Sequence, residues 1–196
     1  MIAESLSDTK FKLIESARDL YLEEGLGEVT MRKVAKKAGL STMATYRHFE
    51  NKDDLLGHVV GQGFRIFQTY FNRALKGKTA ADRLRLCADY YLQFALENPK
   101  YYEVMFMSLV QLRELEFQEN GKQQVKAALK FLVDRVEDCK SAGPMVDLPA
   151  KSIALHLWSH SHGLVSLHLS GRFDVHRNFK KFYGESMMLV LAGLGI

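Results

Sequence analysis

The sequence contains few of the residues that interrupt helices or cross-link a chain. Only three prolines occur in 196 residues, and the long stretches between them follow a 3.6-residue hydrophobic period, which favours helices over strands. The two cysteines, Cys87 and Cys139, belong to a chain long enough to bury a core without cross-links, so we expect reduced thiols and a cytoplasmic location. There is no uncharged apolar run of about 18 residues, and residues 1–12 lack the layout of a signal peptide. These absences predict an all-α protein without a membrane span.

Acidic residues are scarce in one stretch, residues 30–52. It contains six basic side chains and a single acidic one, Glu50, for a net charge of +5, whereas the whole chain carries +4. The positive charge of the protein is therefore local to this stretch. A compact basic segment of this kind favours a nucleic-acid partner. The alternative is a solvated charged face on an ordinary helical hairpin.

Residues 30–49 have the pattern of two short helices joined by a tight turn. The buried face of the first helix consists of apolar residues at helical spacing: Met31, Val34, Ala35 and Ala38. Thr30 and Ser41 are suited to cap the first and second helix, and Gly39 allows the turn between them. The spacing thus predicts a helix-turn-helix whose second helix covers residues 42–49.

The second helix directs a polar and basic face away from the core. Thr45 and Phe49 lie on its inner side. The remaining directions are occupied by Met43, Ala44, Arg47, Tyr46 and His48. Arg47 is the best candidate for reading a base, because a guanidinium can pair with guanine O6 and N7. The alternatives for Tyr46 and His48 are a half-buried core tyrosine and a packing or capping histidine.

The hydrophobic period predicts about nine helices in all. The first covers residues 8–24, with Ser7 or Asp8 as its cap. Asn51 caps the fourth helix, and Lys52 in its first turn is expected to face an outside anion such as a DNA phosphate. We place a domain boundary inside this helix, which gives domains of residues 1–54 and 55–196.

Further helices are predicted through the second domain, separated by a loop over residues 114–120. The last two run from Pro149 to about residue 170 and onward from a cap at Asp174. Both carry more apolar surface than one core uses, which suggests a four-helix interface between two copies of the chain. The alternative is that both are central helices of a large monomer.

These motifs resemble the TetR family of bacterial repressors. The resemblance is strongest over residues 11–56, through TMRKVAKKAGLS, YRHF and NKDDLL. More loosely, LWSHSHGLVSL, with Trp158, His162 and Gly163, and NPKYYEVMF at residues 98–106 resemble the C-terminal domain of TetR relatives that are named for a Trp-His-Gly motif. The residue before Tyr46 is usually aliphatic in the family, and here it is Thr45, whose hydroxyl needs a partner.

The resemblance implies a three-helix DNA-binding domain and a C-terminal helical domain for effector binding and dimerisation. A homodimer would place its paired third helices in successive major grooves of a palindromic operator, and an effector would move them. By position, the DNA contacts fall on Thr42, Met43, Ala44, Tyr46, Arg47 and His48, and the phosphate contacts on Thr30, Arg32 and Lys52. Repression is the commoner mode in the family, and activation stays open.

An aromatic set in the second domain suggests an apolar cavity with a few polar groups. Its candidates are Tyr90, Tyr91, Phe94, Tyr102, Met105, Phe106, Trp158 and His162. The alternative for each is an ordinary core residue. Because this half of the chain lacks a cationic cluster or a phosphate-binding loop, we expect an uncharged or weakly polar ligand and no cofactor. His156 and His160 have metal-ligand spacing, yet no carboxylate or cysteine near them in sequence completes a metal site.

Two rival functions come from other classes. The run of Ser159, His160, Ser161 and His162 offers a nucleophile and a base for an enzyme, but adjacent helical residues face different directions and no orienting acid is recognisable. The other rival is an architectural DNA-binding protein that acts without an effector. The sequence does not identify the effector, the operator or the regulated genes, nor whether two dimers bind one operator.

Overall fold

The computed structural model describes residues 2–107, 119–171 and 178–196, and the regular structure of these residues is entirely helical. The α-helices in them are α1 (Ile2–Glu24), α2 (Met31–Lys37), α3 (Thr42–Tyr46), α4 (Lys52–Arg73), α5 (Ala80–Glu97), α6 (Pro99–Tyr102), α7 (Glu119–Ala142), α8 (Ala150–Leu169) and α9 (Phe179–Gly193). A π-helical turn, Glu103–Met107, continues from α6. The predicted all-α class with about nine helices is confirmed. Among the helices described, none is long and apolar enough to span a membrane.

The helices form two compact units. The first consists of Met1–Phe64 and Lys100–Gln124, and the second of Arg65–Pro99 and Val125–Ile196. Helix α4 therefore contributes its first part to one unit and its last part to the other. Compactness is a different property from independent folding, so the domain limits at residues 1–54 and 55–196 stay a prediction.

Three predicted helix limits are wrong. Helix α1 begins at Ile2 and not at Asp8, because residues 2–7 contain no helix breaker and the chain simply continues the helix upstream. Helix α3 ends at Tyr46 and not at Phe49, since the chain must turn before α4 begins at Lys52. Residues 119–120, expected in a loop, open α7. Residues 114–118 and the predicted cap Asp174 lie outside the described residues.

Residues 100–107 belong to the first unit, although the sequence places them in the C-terminal half. Lys100 Nζ lies 3.0 Å from the Asp19 carboxylate of α1, and the Arg18 guanidinium lies 4.6 Å from the centre of the Tyr101 ring. A Cβ at Gly63 would overlap the Met105 thioether. This segment can therefore approach α4 closely only because residue 63 has no side chain.

The core of the second unit is aromatic and is built around Phe67. Phe67 is fully buried, and its ring centre lies 4.3 to 6.0 Å from those of Phe71, Phe94, Tyr91 and Trp158. Helices α4, α5 and α8 thus share one cluster of rings. Helix α9 packs against α8, where the rings of His168 and Phe179 stack at 3.8 Å.

Candidate nucleic-acid interface and apolar cavity

The turn between α2 and α3 is built by the residues that the sequence indicates. Thr30 Oγ1 accepts a hydrogen bond from the Lys33 backbone N–H, and Ser41 Oγ accepts one from Ala44. Gly39 has a φ of +70°, a conformation that a glycine adopts without the steric cost of a side chain. The two caps and the positive φ fix the angle at which α3 leaves α2, so the predicted helix-turn-helix is confirmed.

Helix α3 presents several of its candidate DNA contacts to solvent. Met43 is 67% exposed and Tyr46 is 55% exposed. Arg47, in the turn after α3, is also exposed, while Thr42, Ala44 and His48 are half-buried. The exposure of Tyr46 rules out the alternative of a half-buried core tyrosine. A five-residue helix with a large aromatic and a thioether in water has an outer surface available for a partner.

The turn that carries Arg47 is tied to the start of α4. Asp54, only 7% exposed, accepts a hydrogen bond from the Glu50 backbone N–H at 2.9 Å, and its own N–H donates to Asn51 Oδ1. Asn51 is therefore the predicted cap of α4. These two bonds, together with the buried Phe49 ring, fix where α3 ends and hold Arg47 at the surface.

The basic side chains of the first unit differ in whether they are paired. Lys33 Nζ lies 2.7 and 2.5 Å from the carboxylates of Glu24 and Glu28, and Lys37 Nζ lies 2.5 Å from Glu23. Arg32 is exposed. The paired ammonium groups are partly neutralised by their own chain, so the basic stretch offers fewer available cations than its sequence suggests.

The sequence suggests that the Lys52 side chain extends freely into solvent, but in the structure it does not. Its ammonium donates to the Leu26 carbonyl at 2.6 Å and thereby joins the N-terminus of α4 to the connector after α1. An ammonium has three donors, so this bond leaves two N–H groups for an outside anion. Phosphate binding by Lys52 stays a prediction.

Thr45 is a locally unfavourable residue, as the sequence predicts. Its side chain is fully buried, and its hydroxyl has no hydrogen-bond partner in the structure. A buried hydroxyl without a partner loses its water hydrogen bonds and gains nothing in return. An aliphatic side chain at this position would avoid that cost.

We therefore expect Thr45→Val to stabilise the protein. Valine keeps the shape of threonine and removes the unpaired hydroxyl, so the free energy of unfolding should rise by about 1 kcal/mol. Urea unfolding followed by circular dichroism measures it. Thr69→Val is the matched control, because the Thr69 hydroxyl donates to Ile66 O at 2.7 Å, and this variant should not gain stability. A Thr45→Val protein less stable than the parent would refute the assignment.

The second unit contains a small apolar cavity of about 20 Å³. Its lining residues come from α4, α5, α7, α8 and α9: Phe71, Leu84, Cys87, Ala88, Tyr91, Leu132, Leu157, Trp158, Ser161, Met187 and Leu191. This space is large enough for about one water molecule. No charged side chain occurs among these lining residues.

The structure separates the predicted ligand residues into two groups. Tyr91 and Trp158 line the cavity, Phe94 packs behind it on Phe67, and the Tyr91 hydroxyl lies 3.2 Å from His162 Nδ1. Tyr90 lies on α5 near Lys76. The other three, Tyr102, Met105 and Phe106, belong to the first unit. Ligand binding by any of the eight stays a prediction.

Most of the residues that line the cavity are not among those predicted from the sequence. Ser161 and Leu157 share a face of α8 with Trp158 at helical spacing, a signal that could have identified them. Leu132 and Met187 lie on other helices, and no local pattern links them to Trp158. Within the described residues no group of three metal-binding side chains occurs, and His160 Nε2 lies 2.9 Å from Ser186 Oγ.

The geometry defines a helix-turn-helix protein with a separate helical unit. In agreement, residues 13–59 match the model described as bacterial regulatory proteins, tetR family, and residues 84–188 match the tetracyclin repressor-like C-terminal domain. The second match covers more than half of the chain. The protein therefore belongs to the TetR family of transcriptional regulators and is not an enzyme, as the sequence motifs predicted.

The sequence identity to individual relatives is low. An HTH-type transcriptional regulator of Staphylococcus aureus (strain USA300) is 30% identical over 92 residues, which is 46% of this chain and 50% of the relative. The chain thus spans about half the length of the curated relatives it matches.

Solved structures share the fold over nearly the whole chain. A protein of unknown function from Rhodococcus sp. RHA1 has a TM-score of 0.81 at 22% identity, with 95% of each chain covered. The fatty acid degradation regulator FadR from Bacillus halodurans has a TM-score of 0.78 at 18% identity, with 95% of this chain and 96% of that chain covered. A TetR family transcription regulator from Marinobacter aquaeolei VT8 has a TM-score of 0.79 at 17% identity, with 99% of this chain and 98% of that chain covered. At these identities the likeness establishes the fold.

Proposed function

We propose that the protein is a repressor that binds a palindromic operator as a homodimer and is released by a small, largely apolar effector. The observation that carries the proposal is the exposed face of α3, which follows a capped turn. Arg32 on α2 and Arg47 after α3 are also exposed. Arg47 would read bases, with Met43 and Ala44 against thymine methyl groups. Thr30, Arg32, Thr42, Tyr46, His48 and Lys52 would bind the backbone and fix the register.

The dimer part of the proposal is supported by apolar side chains that α8 and α9 leave in water. Met188 and Leu189 on α9 are 68% and 76% exposed, and Leu155 and Leu167 on α8 are also exposed. Helical faces of this kind are buried when two copies form a four-helix interface. A two-fold dimer would then match the symmetry of a palindromic site.

The effector part is supported by the cavity in the second unit, which has an apolar lining and a few polar atoms. One structural neighbour regulates fatty acid degradation. That likeness concerns the fold, so the chemistry of the effector has to be inferred from the cavity itself.

Selection of genomic fragments by the purified protein at two salt concentrations tests the proposal. We expect one palindrome to be recovered at both concentrations, because base contacts persist when counterion release weakens. Release of that DNA by a small molecule would then identify the effector. Binding without sequence preference that disappears at the higher salt concentration would refute the proposal, while sequence-specific binding that no ligand reverses would favour an architectural protein.

Lys52→Ala is expected to weaken binding to all DNA sequences alike. A phosphate contact carries no sequence information, so losing one lysine–phosphate pair per protomer should reduce the slope of log affinity against log salt by about 1 for each half-site and about 2 for the dimer. Lys33→Ala is the matched control, because Glu24 and Glu28 already pair that ammonium. An unchanged salt slope for Lys52→Ala would assign this lysine to the Leu26 hydrogen bond alone.

A further inference from the structure

Ser161 is a buried polar side chain of the cavity with a weak hydrogen bond. It is 4% exposed, and its hydroxyl donates to the Met187 thioether sulfur at 3.5 Å. A thioether is a poor acceptor compared with an oxygen. The hydroxyl therefore lies in the cavity wall with a bond that a ligand oxygen could improve.

The polar groups in and beside the cavity are neutral. Burial raises the pKa of the Cys87 thiol, which lines the cavity, to about 12. His162 is not a lining residue but faces the Tyr91 hydroxyl, and burial lowers its pKa. Arg135, whose charge favours a lower pKa for Cys87, is not one of the lining residues. Its guanidinium donates a hydrogen bond to the Asp138 carboxylate at 2.9 Å. An ionic ligand would therefore lose its hydration in this cavity without gaining a partner of opposite charge.

Met187 gives the cavity a way to enlarge. A methionine side chain has three flexible torsions and can adopt other rotamers at low cost. The same side chain lines the cavity and accepts the Ser161 bond. A change of the Met187 rotamer would therefore alter the space and free the hydroxyl together.

We propose that this cavity takes an uncharged, largely apolar molecule with one acceptor oxygen, such as an alcohol or ester, which replaces Met187 sulfur as the partner of the Ser161 hydroxyl. A carboxylate of the same length is excluded. This inference rests on the proposed function, in which the second unit binds the effector. It adds the chemical class of the ligand and identifies Ser161 as the residue that binds the ligand oxygen.

Trp158 lines the cavity and is the only tryptophan of the chain, so its fluorescence reports occupancy without DNA. We expect 1-hexanol to change this fluorescence with saturation, and hexanoate and hexylammonium at pH 7 to bind at least about a hundredfold more weakly. Ser161→Ala should weaken hexanol binding by about three- to tenfold, the net worth of one neutral hydrogen bond. Ser159→Ala, the same change at an exposed serine of α8, should have no effect.

Two further variants keep the test informative if Ser161→Ala folds poorly. Ser161→Cys retains a similar size with a weaker donor and should also reduce hexanol affinity. Met187→Leu removes the competing sulfur and should bind hexanol at least as tightly as the parent. Hexanoate binding equal to hexanol, hexanol affinity unaffected by both Ser161 variants, or no response to any probe would overturn the inference.

The two proposals fail in different experiments. The ligand class is read from Trp158 fluorescence of the full chain alone, whereas the regulator function is read from operator selection and release. Hexanoate binding with no hexanol binding would refute the ligand class and leave an effector site in place. Loss of sequence-specific DNA binding would refute the regulator function whatever the fluorescence shows.

Discussion

Arg47→Ala is expected to lower operator affinity by about 10- to 100-fold for each half-site. A guanidinium bound to guanine O6 and N7 discriminates bases, and alanine removes both bonds. Binding to unrelated DNA should change much less, because it depends mainly on the total phosphate contacts. The ratio of operator to non-operator affinity, measured by fluorescence anisotropy at constant salt, is therefore the informative quantity.

The prediction depends on a rigid position for residue 47. The turn after α3 is held by the Asp54–Glu50 and Asn51–Asp54 hydrogen bonds, and Phe49 is 1% exposed. Arg47 itself takes part in none of these contacts, so its removal should leave the thermal stability of the protein almost unchanged. A binding defect can then be attributed to the missing guanidinium.

Lys37→Ala is the control for charge. It removes one positive charge from the same basic stretch, but the Lys37 ammonium lies 2.5 Å from the Glu23 carboxylate. It should lower operator affinity by no more than about threefold, in proportion to one screened charge. Equal losses from Arg47→Ala and Lys37→Ala would mean that the basic stretch acts only through its total charge, and the base-reading role of Arg47 would be withdrawn.

Leu189→Glu is expected to convert the protein to a monomer and to abolish tight operator binding. Leu189 is 76% exposed on α9, so a glutamate at this position remains in water in the isolated chain. At a two-fold interface the same change brings two charges into apolar surroundings. Because linked half-sites gain about 10²- to 10⁴-fold in affinity, a monomer should bind the palindrome at least about a hundredfold more weakly.

Leu148→Glu is the matched control for this experiment. Leu148 is also an exposed leucine of the second unit, at 48%, but it lies in the connector before α8. Light scattering coupled to gel filtration should find a dimer for the parent and Leu148→Glu and a monomer for Leu189→Glu. A Leu189→Glu dimer with normal operator affinity would place the interface elsewhere.

Local structure was predictable from the sequence where one residue type serves one backbone need. Thr30, Ser41 and Asn51 cap their helices as expected, and Gly39 takes the positive φ that its turn needs. The sequence predicts that the Thr45 hydroxyl needs a partner, and the buried hydroxyl lacks one in the structure. These features depend on residues three or four positions apart, so a single sequence contains the required information.

Contacts between distant segments were not predictable in the same way. The Lys52 ammonium binds a carbonyl 26 residues away, and Lys33 and Lys37 are paired by glutamates of α1 and its connector. From the charge pattern alone, all three lysines are expected to be available to a partner. Their pairing depends on how α1 lies against α2 and α4, which the hydrophobic period of each helix does not specify.

Patterns within the sequence are sufficient to predict the helical class, the helix-turn-helix with its caps, and the family. Only the packed helices show which cations are paired, which side chains line the cavity, and that residues 100–107 join the first unit. The difference lies in the range of the interactions. Capping and periodicity act within one or two helical turns, whereas the cavity wall and the ion pairs form only when helices far apart in the chain pack together.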